Sequence, residues 1–412
     1  VEIPVLTVRT VAVSDPGRDP SAMLEHTDPI RPAAFIRDGE GIVGLGERLR
    51  VAAHGPDRVA RLAASWRDVV ARADIVDAVT LPGTGLVAFG SIAFADASPA
   101  ESVLVVPSLI VGRRDGVAWV TTIQVAGADA ASPAPRAIGP APHADLRPGG
   151  TSPERFLDAV AAATAAIRDG RVDKVVLARD LVGRIGEGDD RRGILQRLAE
   201  RYPSTSVFAV DGLLGASPET LVRVRGGDAR CRVLAGTAAR WADDATDAHA
   251  ASSLAASPKN RGEHELAVRS VLTALAPHAT TVEHSPAPFP LRLPNLWHLA
   301  TDVHATLRPG RTCLDLVAAL HPTAAVAGTP TDAAVALIAE LEPADRGRYA
   351  GPVGWIDATG DGEWAIALRC ATVTPDGAVT AWAGAGIVGD SEPERELEET
   401  NLKFRPVVDA LG

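Results

Sequence analysis

The run Lys174-Val175-Val176-Leu177-Ala178-Arg179 is apolar for four residues and closed at each end by a cation. Its length and β-branched content read as a buried strand with Lys174 at its edge. The text before it is helical. Ser152 can cap, Pro153 takes the first position, Phe156, Val160, Ala163 and Ile167 recur on one face, and Gly170 is placed to end the helix. Beyond it, strands are expected at 206–210, 221–224, 364–372 and 379–383, and helices at 258–275, 333–340 and 393–411. Strands and helices mix without strict β-α-β alternation, which predicts an α+β fold of layers rather than a doubly wound sheet. Residues 126–150, rich in Ala, Pro and Gly, read as a connector. They separate an N-terminal part, 1–125, from a core, 151–412. The first part carries β-like runs at 102–111 and 118–125 and a helical pattern at 58–73, but no catalytic cluster.

The chain has 412 residues, 46% of them hydrophobic, enough to bury a large core. A formal charge of -11 argues against nucleic acid or an anionic membrane as a partner. A small anionic substrate would then need local cations. Apolar runs such as Glu101–Gly112 are broken by Pro107 and fall short of the ~20 residues that a membrane span needs. Val1-Glu2-Ile3-Pro4 has neither the basic start nor the apolar core of a secretion signal, so a cytoplasmic protein is expected. Cys231, Cys313 and Cys370 are isolated, as reduced thiols would be. Of 41 basic residues only Lys174, Lys259 and Lys403 are lysines. Where a chain that so prefers arginine keeps lysine, chance survival competes with a need for a cation that can lose its proton.

In the last helix, Ser391 is expected to cap and Leu397, Phe404, Val408 and Leu411 to face the core. Glu396, Glu399 and Lys403 share a second face. Two carboxylates one turn apart can hold a hard cation such as magnesium, with Lys403 beside it for an anion; the alternative is a solvated face with a Glu399–Lys403 pair. Glu263-His264-Glu265 lies on a helix that Ser257 can cap and that buries Val268, Val271, Leu272 and Leu275. Its spacing does not match a two-histidine zinc motif, so magnesium through Glu263 competes with a surface acidic cluster. Gly215-Ala216-Ser217-Pro218-Glu219 is a small-residue turn: its small residues would let a ligand approach, and a desolvated Glu219 would keep a proton to donate, or the text is an ordinary turn. Gly384-Ala385-Gly386 could present backbone N–H groups to a carboxylate. Arg369, read as part of the apolar strand with Ala365, Ile366, Ala367 and Leu368, needs a partner or an exposed strand face, and a bound carboxylate is one such partner.

Together these segments resemble the chorismate-utilising enzymes, their isochorismate synthase branch most closely. The resemblance rests on Lys174–Arg179 (KVVLAR), Gly215–Glu219 (GASPE), Leu234–Ala238 (LAGTA), Glu263–Glu265 (EHE), Leu296–Ala300 (LWHLA), His321–Thr323 (HPT), Gly351–Trp355 (GPVGW), Gly362–Cys370 (GEWAIALRC), Gly384–Ile387 (GAGI) and Glu396–Lys403 (ELEETNLK), in the family's order across residues 150–412. It implies a single α+β domain of two large stacked, mostly antiparallel sheets flanked by helices. It also implies chorismate as substrate, a magnesium ion and a monomer. Carried over by position, Lys174 is the general base that activates water for attack on ring C2, and Glu219 the acid that protonates the departing C4 hydroxyl. Glu263 and Glu396 would hold the metal with Glu399 in support. Arg369, Lys403 and the backbone of Gly384, Ala385 and Gly386 would bind carboxylates, and Gly236, Thr237 and His298 would line the pocket. A lysine at 174 disfavours the ammonia-using anthranilate synthases, and Ala235 stands where aminodeoxychorismate synthases resemble one another in carrying a lysine. Ala325 and Val326 resemble the small and bulky pair of isochorismate synthases rather than the pair of salicylate synthases, the nearest alternative. A catalytically silent anion-binding relative is the rival from outside enzymology. The product that the resemblance implies feeds both siderophore and menaquinone synthesis.

Overall fold

The computed structural model of the chain describes residues 4–125, 134–241, 243–292 and 296–412; of Thr237, Ala239, Lys259 and Leu296 the side chains also lie outside the description. The described strands form two sheets. In the first, Lys174–Arg184 pairs with Ala378–Ile387. The sheet continues through Cys370–Val373, Leu213–Ser217, Ser206–Val210, Ala33–Arg37, Glu40–Leu45, Leu109–Arg114, Val117–Val125 and Leu6–Val13 to Asp74–Asp77. The second runs from Ala279–His284 through Leu296–Leu307, Asp228–Ala239, Thr220–Arg225, Gly362–Ile366, Pro352–Asp357, Val87–Ser91 and Ser102–Val106 to Leu49–Ala53. Pairings are antiparallel except that of Leu6–Val13 with Asp74–Asp77. This is the α+β arrangement expected.

Alternation along single strands explains the layering. In Ser206–Val210 every residue is buried. Phe208 and Val210 enter a cluster between the sheets with Phe89, Trp355 and Trp364, while Val207 and Ala209 point the other way, toward Ile194, Leu195, Leu198 and Phe404. One strand therefore carries two cores, and helices Arg192–Arg201 and Pro393–Ala410 cover the outer one. The N-terminal part is woven into both sheets rather than set apart. Phe35 pairs with Phe208, and Phe89 with Trp355. The described end of the connector is held down as well, since Arg192 donates to the carbonyls of Arg136 and Ala137 at 2.9 Å each. Ser152 and Pro153 start the helix Pro153–Arg168 as expected, with the Ser152 hydroxyl accepting the Arg155 N–H, and Gly170 leaves it at φ 76°. No described helix is long and apolar enough to cross a membrane.

Candidate active site

Two chain crossings position the site. At Ser217-Pro218-Glu219 the chain leaves the first sheet for the second, and at Ala367-Leu368-Arg369 it returns from the second to the first. The crossings are bonded to each other. Ile366 N–H donates to the Glu219 carbonyl at 3.0 Å and Ala216 N–H to the Arg369 carbonyl at 3.2 Å. The Ser217 hydroxyl donates to the Ile366 carbonyl at 2.5 Å and accepts the Glu219 N–H at 3.2 Å. Two sequence expectations change here. Residues 364–372 are not one strand, and Arg369 sits outside both flanking strands at φ 51°, a left-handed turn that redirects the chain between sheets. Gly215 makes room for its neighbour strand rather than for a ligand: a Cβ there would lie 2.5 Å from Cys370 Cβ and 2.7 Å from the Arg369 carbonyl oxygen. The Arg369 guanidinium makes no hydrogen bond or ion pair among the described residues, yet Tyr349, Glu219 and Glu399 act on it electrostatically. Burial holds its pKa below the usual arginine value. An arginine in this state has its hydrogen-bond donors available to an anion.

Lys174 begins the strand that faces this crossing. Val176 lies opposite Gly386, Leu177 opposite Ala385 and Ala178 opposite Gly384. A Cβ on Gly386 would stand 3.0 Å from Lys174 Cε and 3.5 Å from Nζ, so the amine lies across that glycine. The amine itself has no hydrogen bond or ion pair among the described residues. Burial lowers the Lys174 pKa; Glu219, Glu263 and Glu399 oppose this and Lys403 adds to it. Burial raises that of Glu219, against Lys174, Arg369 and Lys403. Each group is thus moved toward its neutral form, the condition for a lysine base and a carboxylic acid that act on each other.

The N–H groups of Val176 and Ala178 donate away from the glycine strand, to the Ala327 carbonyl and the Glu342 carboxylate at 2.8 Å each. In an antiparallel ladder the intervening residues then carry the bonds. Gly384 and Gly386 therefore turn their N–H groups outward, beyond the last pair of the next strand, Cys370 with Trp382. Ala385, opposite Leu177, has its N–H in the ladder, so the sequence expectation of three open N–H groups reduces to the two glycines.

Helix Pro393–Ala410 closes one side. Lys403 Nζ donates to the Gly384 carbonyl at 2.8 Å and pairs with Glu399. Burial raises the pKa of Glu396, and neighbouring Glu399 adds to the rise. Ser391 is not the cap; Glu392 holds that position, and the Ser391 hydroxyl accepts the Val388 N–H. Val408 is exposed, whereas Val407 and Ala410 enter the core beside Phe404. On helix Pro258–Leu275, His264 is buried between the Ala235 carbonyl at 3.1 Å and the Thr301 hydroxyl at 2.7 Å. It fixes the helix so that the exposed Glu263 acts on Lys174. The oxygen donors Glu263, Glu396 and Glu399 suit a hard cation in chemistry. Among the described residues, however, no three His, Cys, Asp or Glu side chains are grouped as metal ligands. Gly236, at φ 81°, forms a bulge against His298, whose Nδ1–H donates to the Gly236 carbonyl at 3.2 Å. Burial, with Lys174 and Lys403 adding, favours the neutral imidazole. Val326 is buried and Ala325 exposed in a turn whose N–H groups bond to the Thr323 carbonyl. The Thr237 side chain lies outside the described residues.

Tyr349 escaped the sequence reading. It is buried, stacks on Trp382 with centroids 5.7 Å apart, and reaches the glycine strand, its hydroxyl 3.0 Å from where a Gly384 Cβ would stand. Its signal was rarity, since the chain has two tyrosines.

A family model described as chorismate binding enzyme matches residues 7–412. The chain belongs to the chorismate-binding enzyme family. Among its relatives, MenF of Mycobacterium tuberculosis is 39% identical over 345 residues, covering 80% of this chain and 87% of that one. Isochorismate synthase DhbC of Bacillus subtilis is 39% identical over 272 residues, 63% of this chain and 68% of the relative. The structure of MenF, the menaquinone-specific isochorismate synthase of Escherichia coli, superposes with a TM-score of 0.78 at 26% identity, covering 100% of this chain and 96% of that one.

Proposed function

We propose that the protein is an isochorismate synthase, an isomerase that converts chorismate to isochorismate. The carrying observation is the pairing of Lys174 and Glu219, neither bonded to the other, each shifted by burial toward the neutral form that the reaction requires. The family match and the isochorismate synthases among the relatives support the substrate. Lys174 removes a proton from water as the oxygen bonds to ring C2, both ring double bonds shift (C1=C2 to C1=C6 and C5=C6 to C4=C5), and the C4–O bond breaks so that its oxygen leaves as water with the Glu219 proton. One water enters and one leaves, so the product is an isomer. Hydroxide is a poor leaving group, and the acid at one side and base at the other lower that barrier together. Arg369 and the outward N–H groups of Gly384 and Gly386 receive carboxylates, with Lys403 held beside them on the Gly384 carbonyl. Glu263 and Glu396, with Glu399, would hold magnesium, which when bound supplies positive charge against a dianionic substrate. His298 and Val326 would line the pocket.

The test is incubation of the purified protein with chorismate and magnesium ions, followed by separation of the products. Isochorismate as the sole product is expected. Accumulating salicylate would show that pyruvate elimination follows, and unchanged chorismate would refute the catalytic reading.

A further inference from the structure

The strand that carries Lys174 is incompletely paired on its outer side. There Gly328–Thr329 pairs with Lys174 and Val175, and Arg147–Pro148 with Leu181 and Val182, leaving Val176 to Asp180 without a strand neighbour. Buried backbone groups in such a gap must find other partners. The Ala327 carbonyl takes the Val176 N–H and the Gly149 N–H reaches the Asp180 carbonyl, and two side chains supply further partners. Arg346 Nη2 donates to the Val176 carbonyl at 2.6 Å, and the Glu342 carboxylate accepts the Ala178 N–H at 2.8 Å. Arg346 and Glu342 are bonded to each other through Nε at 2.8 Å and Nη2 at 2.5 Å, and their side chains are 2% and 5% exposed. Nη1 of the same guanidinium donates to the Val326 carbonyl at 2.9 Å, and its carbon lies 4.5 Å from the Phe94 ring centroid.

We propose that Arg346 and Glu342 are a positioning pair for the reaction, which fixes the Lys174 strand against the turn bearing Val326 so that base and pocket wall hold one geometry. This rests on the function proposed above. A planar guanidinium is suited to the task, because its fork can bond two carbonyls and a carboxylate at fixed angles, which an ammonium cannot. The stability gained from a buried ion pair is small or negative against an apolar replacement, so a pair at this place is better explained by the geometry it imposes. The dependence of Lys174 on it is direct. With no bond to its amine, the side chain is located by its backbone and by the surface of Gly386.

The test uses Arg346→Lys, which keeps the charge and loses the fork, and, in case a poorly satisfied buried ammonium prevents folding, Glu342→Gln combined with Arg346→Met. In the latter the glutamine oxygen can still accept the Ala178 N–H, and the bonds to Val176 and Val326 are lost without an unpaired charge. Two readouts are taken on folded protein. The first is kcat against KM for chorismate, where a fall in kcat of about tenfold or more with KM near the wild-type value is expected. The second does not depend on turnover. The chain has three lysines, so reductive methylation with a carbon-13 label yields three lysine sites by NMR beside the N-terminal amine, with a fourth, at 346, in Arg346→Lys. The Lys174 resonance should move while that of Lys259 stays. A wild-type kcat per folded molecule together with an unmoved Lys174 resonance overturns the proposal, as does failure of both variants to fold, which would make the pair structural. If the wild-type protein leaves chorismate unchanged, the functional reading fails by itself and the resonance still decides the positioning claim.

Discussion

Gly386→Ala isolates the placement of the base from the fold. Gly386 does not adopt a left-handed conformation, so alanine is acceptable to its backbone. The added Cβ would stand 3.0 Å from Lys174 Cε. Carbon atoms rest at roughly 3.5–4.0 Å, so the end of the lysine must retreat by about 0.5–1 Å. It is the far end of a flexible chain with no bond to break, so the strain relaxes locally and stability should stay within about 1 kcal/mol of wild type. Chemistry is less tolerant. A displacement of about 1 Å at a reacting group costs about 100-fold in rate, or ~2.7 kcal/mol of barrier. The assay is kcat at saturating chorismate and magnesium beside a thermal melt. A large fall in kcat with an unchanged melt is expected. A kcat near wild type would refute the argument that Lys174 acts from above Gly386. Gly170→Ala is the control, with φ at 76° and no atom within 4 Å of the added carbon. It should lose about 1 kcal/mol of stability and no activity per folded molecule.

Arg369→Ala should lower kcat/KM by ~10- to 100-fold, the value of a charged hydrogen bond to a carboxylate, without lowering the melting temperature, because the guanidinium has no hydrogen-bond or ion-pair partner among the described residues to lose; a destabilised variant with normal kcat/KM would contradict this. The pH dependence of kcat/KM should be a bell, with a rising limb below the ordinary lysine range as Lys174 loses its proton and a falling limb above the ordinary carboxylate range as Glu219 loses its own; a flat profile would refute the assignment. Stability should respond to two buried groups of opposite sign. His321, lowered by burial to about 4, binds fewer protons folded than unfolded, so its contribution is lost as pH falls from its ordinary 6.5 through 4. Asp357, raised by burial to about 6, binds more protons folded, so its contribution is lost as pH rises from 3.8 through 6. Each is worth about 3 kcal/mol and they nearly cancel. In denaturant titrations Asp357→Asn should therefore gain stability with rising pH over that interval and His321→Gln should lose it, and parallel behaviour of the two would refute the assignment. Chelation of divalent ions should abolish turnover without unfolding, and Glu263→Gln or Glu396→Gln should raise the magnesium concentration needed to restore it; turnover surviving chelation would remove these carboxylates from the proposal.

The elements of the fold were legible because their signals are local. Ser152 and Pro153, the apolar run from Val175 to Ala178 and the helix Pro258–Leu275 each state their structure within one or two turns of chain. The errors arise where a distant segment decides. Residues 364–372 read as one strand because every side chain but Arg369 is apolar or small enough for one. What divides them is the pairing of Ile366 with Pro352 in one sheet and of Cys370 with Trp382 in the other. A run that is apolar throughout satisfies two different burials equally well, so its periodicity cannot show that it changes sheets. Likewise the outer face of Val408 and the inner face of Val407 differ by one residue in a helix whose contact with Arg192–Arg201 no sequence pattern records.

The same physics separates the legible half of the site from the illegible half. Lys174, Glu219 and the acidic pair on the last helix stood out because ionisable groups beside apolar text are costly unless used. Arg346 and Glu342 are just as buried but satisfy one another, and both lie beyond the helix expected at 333–340, in no motif that marks them. Their work is visible only once the strand carrying Lys174 is seen to lack a neighbour from Val176 to Asp180. The rarity of lysine is sharpened by the same view. Lys403 is held by the Gly384 carbonyl and Glu399 and lends its charge in place, while Lys174 has no hydrogen bond or ion pair among the described residues. A base must have a lone pair to give, and a lysine tied to a carboxylate has none; the unbonded amine over Gly386 is thus the part of the structure on which a hydration mechanism most depends.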